Sequence, residues 1–205
     1  MAELIKLFES NTDRGRLEYI TGVLRSGGLV IFPTDTIYAL GCDVTNKKAV
    51  EKVARIKGVK LEKANLSFIC SDLKVLGEYV AQIETSTFKI LKRSLPGPYT
   101  FLLPHGNRLP NFFGKKKTVG IRIPDNPITL RLIDTLGNPL VSTSIKEEET
   151  QTGYITDPEL ILEKWGHLVD VVIDAGPGGL EPSTVIDLTS GEPKLVREGK
   201  GSLLV

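Results

Sequence analysis

Two cysteines in 205 residues are too few for a disulfide framework, and 40% hydrophobic with 25% charged residues is the balance of an ordinary globular chain. No stretch approaches the roughly 20 apolar residues that span a bilayer, and the first twenty residues lack a charged start, an apolar segment and a cleavage site, so the expectation is a cytoplasmic protein with reduced, buried Cys42 and Cys70. The net charge of +1 conceals two basic stretches, seven basic against two acidic residues over 47–63 and eight against none over 89–123, balanced by an acidic stretch over 145–181.

In chain order, Asp13 is placed to cap a helix carrying Leu17, Ile20, Val23 and Leu24 at helical spacing, ended by Gly27 and Gly28. Residues 29–32 read as a buried strand, broken by Pro33 before Thr34-Asp35-Thr36. A second helix starts at Asn46, buries Val50, Val53 and Ile56, and stops at Gly58. Residues 66–70 are strand-like, and Asp72 caps a short helix with Leu73, Leu76 and Val80. Pro96-Gly97-Pro98 is a turn signal before a strand over 99–103, and a further strand follows over 118–123. Asn126-Pro127 supplies a cap and a first-turn proline for a helix closed by Gly137. A strand over 140–144, a helix opened by Asp157-Pro158, and strands over 169–174, 184–188 and 195–197 complete the chain. No repeat or linker divides it, so the expectation is one domain over 1–205, of α/β or α+β class with a mixed sheet.

Several kinds of chemistry are excluded by the residues present. There is no G-x-x-x-x-G-K-[ST] phosphate loop, and Gly176-Pro177-Gly178-Gly179 fails the dinucleotide fingerprint. His105 and His167 lie at no ligand spacing, so no protein-bound metal and no histidine-centred nucleophile is expected. What remains is a set of hydroxyls beside glycines, prolines and cations: Thr34 and Thr36 in FPTDTIYALG, Thr100 after PGPY, Arg122 in GIRIP, Ser142 and Ser144 in LVSTS, and Ser183-Thr184 in PSTVID. Each falls at a strand end or an adjoining turn, where such groups, singly, are ordinary turn residues and, together, make an anion or nucleotide site. If the two basic stretches meet, they make one cationic face for phosphates or a nucleic-acid backbone; otherwise they are two solvated surfaces.

The motifs FPTDTIYALG, RIKG, PGPYTFLL, VGIRIP, PSTVIDL and VREG, in that order from about residue 27 to 199, resemble the YrdC family of threonylcarbamoyl-adenylate synthases. NLSFICSDL and VSTS resemble its YciO branch. The resemblance implies a twisted mixed sheet with flanking helices around a concave cationic cavity. It implies condensation of L-threonine, bicarbonate and ATP, the last with Mg2+, to threonylcarbamoyl-adenylate and pyrophosphate, for a partner transferase that modifies transfer RNA. By position, Thr34 and Thr36 touch the amino-acid moiety, Arg122 and Thr184 lie near the threonyl group, and Lys57, Lys63, Thr100, Ser142 and Arg197 contact the nucleotide, with Ser144 where the family carries the asparagine of S-A-N. Two other departures accompany that one. The arginine of K-x-R is replaced, Lys57 being followed by Gly58 and Val59 with Lys60 as a nearby charge, and a histidine of the next strand gives way to Phe68 or its neighbour. The alternatives to synthesis are hydrolysis of a related carbamoyl-adenylate, and non-catalytic binding of transfer RNA or double-stranded RNA in which Lys115, Lys116 and Lys117 take part. If they do not, that triplet is an exposed solvated loop.

Overall fold

The computed structural model describes residues 1–10, 13–113, 116–145 and 153–202. Lys115 and the glutamates at 147, 148 and 149, which the charge analysis counts, lie outside the described residues. Among these residues, ten strands form one mixed sheet: β1 (Glu3–Lys6), β2 (Val30–Phe32), β3 (Ala39–Asp43), β4 (Ser67–Ile69), β5 (Tyr99–Pro104), β6 (Thr118–Arg122), β7 (Leu140–Ser144), β8 (Val171–Asp174), β9 (Thr184–Asp187) and β10 (Lys194–Arg197). Their order is β1-β8-β2-β3-β7-β4-β6-β5-β9-β10, with the pairs β1–β8, β8–β2, β4–β6 and β5–β9 parallel and the rest antiparallel.

Among the described residues, six helices flank the sheet: α1 (Arg14–Arg25), α2 (Lys47–Ile56), α3 (Leu73–Tyr79), α4 (Thr85–Ser94), α5 (Pro127–Leu136) and α6 (Pro158–Trp165). Five begin where a side chain can satisfy an orphan N–H. Asp13 accepts from Gly15 N, Asn46 from Ala49 N, Asp72 from Val75 N, Asn126 from Thr129 N and Asp157 from Glu159 N; such caps contribute about 1 kcal/mol each. Beyond α2 and α5 the chain leaves through Gly58 (φ 74°) and Gly137 (φ 87°), left-handed positions that a Cβ would strain.

Strand alternation sorts the core into two layers. Val30, Phe32, Val171 and Ile173 pack with Leu17, Ile20 and Leu24 of α1 and Leu132, Ile133 and Leu136 of α5. Ile31, Val172 and Val141 face the other way, with Val50 and Val53 of α2 and Ile161 of α6. Strands covered on both faces read as unbroken apolar runs, as VIF and VVI do.

Three elements depart from the sequence reading. Strand β3 falls between Thr36 and Asn46, where the sequence reading assigns no element; Gly41 lowers strand propensity there, and a Cβ on it would lie 2.8 Å from Val141 O and 2.7 Å from the Phe32 ring, so close packing of neighbouring strands requires the glycine. Strand β1 is only four residues long and is held by parallel pairing to β8. Helix α4 has no side-chain cap at Glu84 and buries Thr87, Leu91 and Ser94, so its inner face carries little apolar periodicity to read. Among the described residues, no helix is long and apolar enough to cross a membrane.

Candidate active site

On β4, β5, β6 and β7 the alternation separates chemistry from packing. Phe68, Phe101, Leu103, Val119, Ile121 and Val141 enter the core, and of these Phe68 and Val119 also touch the cavity. The intervening Ser67, Thr100, Leu102, Thr118, Gly120, Arg122, Ser142 and Ser144 line a cavity of about 410 Å³. That volume is within the range of small-molecule sites. Lys57, Lys116 and Arg197 complete its polar wall, and no carboxylate is among the described residues lining it. Gly120 keeps the floor low: an added Cβ would sit at ordinary contact distance, 3.4 Å from Ser67 Oγ and 3.5 Å from Thr100 Cγ2. The glycine therefore leaves room above the sheet and relieves no strain there.

At one end of the cavity, Arg122 meets the β2–β3 connection. Its Nη2 donates to Thr36 Oγ1 at 2.7 Å, to Thr34 Oγ1 at 3.3 Å and to Asp35 Oδ1. Thr34 Oγ1 in turn accepts from Thr36 N at 3.1 Å and donates to Ile37 O at 2.6 Å, a local turn that fixes both hydroxyls. The Arg122 and Asp35 side chains are 7% and 9% exposed, so this is a buried ion pair. It is incompletely satisfied, because Arg122 Nε and Asp35 Oδ2 have no hydrogen-bond partner among the described residues. Burial pulls the Arg122 pKa down and the Asp35 charge opposes that pull.

The connection is braced from behind. Tyr38 OH donates to Gly176 O (2.8 Å) and accepts from Ala175 N (3.1 Å), and burial pushes its pKa up to about 12. Gly179 presses on the loop so closely that a Cβ would lie 2.1 Å from Thr36 O. The glycine run that fails the dinucleotide fingerprint thus positions the threonines. Lys200 Nζ donates to Asp35 O at 2.6 Å from the C-terminal side.

One strand over from Arg122, Thr100 Oγ1 and Ser183 Oγ share a hydrogen bond of 2.8 Å, and Arg197 Nη2 donates to Ser183 O at 2.7 Å. Lys57 Nζ donates to Asn65 O (2.9 Å) and Thr143 Oγ1 (3.2 Å), while Lys116 Nζ donates to Ala64 O. Burial, and then Lys57, holds the Lys116 pKa below the ordinary lysine value.

Of the residues singled out in the sequence, Lys57, Thr100, Arg122, Ser142, Ser144 and Arg197 line this cavity, and Thr34 and Thr36 reach it through Arg122. Thr184 does not line it: its hydroxyl is buried and donates to Gly201 O at 2.7 Å, while Ser183 and Val185 line the wall. Lys63 lies exposed on a short 3-10 turn, Leu61–Lys63, and neither it nor Lys60 is among the lining residues. Phe68 packs on the core side against Phe113, ring centroids 5.1 Å apart. Of the lysine triplet, Lys116 lines the cavity and Lys117 is exposed, while Lys115 lies outside the described residues. Ser183, named in the hydroxyl set, and Lys116, named only in the lysine triplet, both line the cavity, and Asp35 is the structure's addition as the partner of Arg122. For Lys116 the available signal was parity, since 116, 118, 120 and 122 share one face.

A cavity lined by Lys57, Lys116, Arg122 and Arg197 on one ten-stranded mixed sheet with flanking helices defines the class: a mixed α/β domain. Residues 22–199 match the family Sua5_yciO_yrdC, described as telomere recombination, and the chain belongs to that family. YciO of Escherichia coli is 35% identical over 208 residues, covering 99% of this chain and 98% of its own, and the E. coli YciO crystal structure superposes with a TM-score of 0.90 over 98% of both chains. A protein named threonylcarbamoyl-AMP synthase from Halorhodospira halophila is 30% identical over 178 residues, 86% of this chain and 92% of that one. The crystal structure of P. abyssi Sua5 complexed with L-threonine matches with a TM-score of 0.84 and 28% identity, over 97% of this chain and 57% of that one.

Proposed function

We propose that this protein condenses L-threonine, bicarbonate and ATP into threonylcarbamoyl-adenylate and pyrophosphate, for a transferase that modifies transfer RNA. The observation that carries the reading is the cavity itself, which sets Arg122 with Thr34 and Thr36 beside Lys57, Lys116 and Arg197 along its wall, with no carboxylate among the described lining residues. The relatives named as threonylcarbamoyl-AMP synthases and the threonine-bound Sua5 supply the substrate class.

The chemistry asks little covalent help from the protein. Threonine and bicarbonate give the N-carboxylate with loss of water; a carboxylate oxygen attacks the α-phosphorus, and the bond to pyrophosphate breaks. Attacking group and leaving group are both anions, so the task is to bring like charges together and to neutralise what leaves. Arg122 and the threonine hydroxyls suit the amino-acid end. Lys57, Lys116 and Arg197 suit the phosphates, and magnesium arrives on ATP as part of the substrate. Ser144 offers a hydroxyl where the resemblance leads one to expect an amide.

Incubation with ATP, magnesium, bicarbonate and L-threonine, followed by mass spectrometry and a pyrophosphate assay, tests the reading. Product that requires both threonine and bicarbonate supports it. No product beside an active family synthase refutes it, and hydrolysis of added threonylcarbamoyl-adenylate and binding of double-stranded RNA are then assayed.

A further inference from the structure

The segment that leaves β10 touches the site twice. Arg197 Nη2 donates to Ser183 O, and three residues on Lys200 Nζ donates to Asp35 O at 2.6 Å. The backbone beyond Arg197 is fastened along the entry to β9. Lys200 N donates to Pro182 O at 2.9 Å, Gly201 O accepts from Thr184 Oγ1 at 2.7 Å, and Ser202 O accepts from Tyr99 OH at 3.1 Å. A Cβ at Gly199 would lie 2.3 Å from Pro182 O and one at Gly201 2.5 Å from the Tyr99 ring, so both glycines serve close approach. The base of Lys200 is therefore fixed, and its side chain is a tether of set reach.

What the tether holds is one peptide plane. Asp35 O and Thr36 N belong to the same peptide unit, whose atoms turn together because the bond is planar. Lys200 holds the oxygen, and Thr34 Oγ1 accepts from the N–H at 3.1 Å, so the unit is pinned at both edges. The neighbouring carbonyls are held differently: Pro33 O accepts from Thr129 Oγ1 of α5 and Ile37 O from Thr34 Oγ1 within the turn. Turning the Asp35–Thr36 plane would change ψ of Asp35 and φ of Thr36. The Asp35 carboxylate and the Thr36 hydroxyl would swing with it, and both of these meet Arg122 Nη2.

We infer that Lys200 is a positioning residue: by holding the Asp35–Thr36 peptide it sets Asp35 and Thr36 on Arg122, and it ties that turn to the segment carrying Arg197. That the turn serves an amino-acid substrate rests on the function proposed above; the tether rests on the peptide geometry alone. Lys200 acts through the turn and not on the substrate.

Amide hydrogen exchange of the full chain, read by NMR, compares the natural protein with Lys200→Met, Lys200→Arg and Lys194→Met, the last an exposed lysine of β10. Exchange at Thr36 is expected to rise fivefold or more in Lys200→Met. It should return to within twofold of the natural value in Lys200→Arg, since a carbonyl asks for one donor and no fork, and stay there in Lys194→Met. Ile31, in β2 and paired on both sides, reports global opening and should stay within twofold throughout. A smaller rise at Thr36, no recovery with arginine, or an equal rise at Ile31 overturns the tether. Turnover supplies the second readout: in Lys200→Met the KM for L-threonine rises threefold or more, while kcat and the KM for ATP stay within twofold. A smaller rise in the threonine KM, or an equal change in all three, overturns the positioning role. Absence of turnover in the natural protein refutes the synthase reading and leaves the tether to the exchange measurement, which needs no substrate.

Discussion

Replacing Asp35 by alanine removes the counter-charge of Arg122 and tests whether that pair is as desolvated as its geometry indicates. Both side chains are more than nine-tenths buried, and the one Nη2 atom donates to Thr34, Asp35 and Thr36 alike. Leaving one member of a buried pair unpaired costs about 3–5 kcal/mol, against about 0–1 kcal/mol for an exposed pair. Thr36 and Thr34 remain as neutral acceptors for Nη2, which places the expected cost near the lower end, about 3 kcal/mol. For a chain of this length that corresponds to a melting temperature lower by roughly 6–12 °C. With a urea slope of about 2 kcal/mol/M, the unfolding midpoint falls by roughly 1.5 M. Thermal and urea unfolding followed by circular dichroism read both quantities. The double variant Asp35→Ala/Arg122→Met removes the orphaned charge and is expected to recover most of the loss, since apolar replacement of a whole buried pair is often neutral. A single-variant cost below about 1 kcal/mol, or a double variant less stable than the single, refutes the reasoning.

Other predictions follow from the cavity and the core. Gly120→Val is expected to stay within about 1 kcal/mol of the natural stability, because a Cβ fits at contact distance and valine favours strands; nucleotide affinity measured by calorimetry should fall tenfold or more, and unchanged affinity would place the ligand elsewhere. Pyrophosphate affinity, measured against pH, should begin to weaken before the ordinary lysine value of 10.5 is reached, since the anion requires protonated Lys116 and its pKa is lowered. The early decline should be absent in Lys116→Met. Burial raises the pKa of Cys42 and Cys70, so both remain protonated and shielded. A thiol-specific dye should label neither in the native protein and both in guanidinium; a native-state label on either would show that its packing opens.

What the sequence made legible depended on how far apart the interacting residues lie. The five expected caps all bond within three residues, so local chemistry decided them, and most of the expected strands agree with the structure to within two residues. Strand β3 escaped because its glycine answers to Val141 and Phe32, neighbours set by strand order and not by local pattern. The Asp35–Arg122 pair escaped for the same reason: 87 residues separate the partners, and only the placement of β3, β7 and β4 between β2 and β6 brings the connection after β2 to the end of β6.

Parity explains both the successes and the failures at the site. Thr100, Arg122, Ser142 and Ser144 fall on the cavity face because each alternates with a core residue, a relation visible within single strands. The same rule sends Thr184 away from the wall once Val185 faces it, and leaves the neighbouring turn to supply Ser183. Lys116 obeys the rule two residues beyond the edge of β6, where a run of lysines reads as a solvated loop. A charge run beside a strand therefore needs to be read residue by residue: its members alternate between solvent and site, and Lys117 and Lys116 differ in that way.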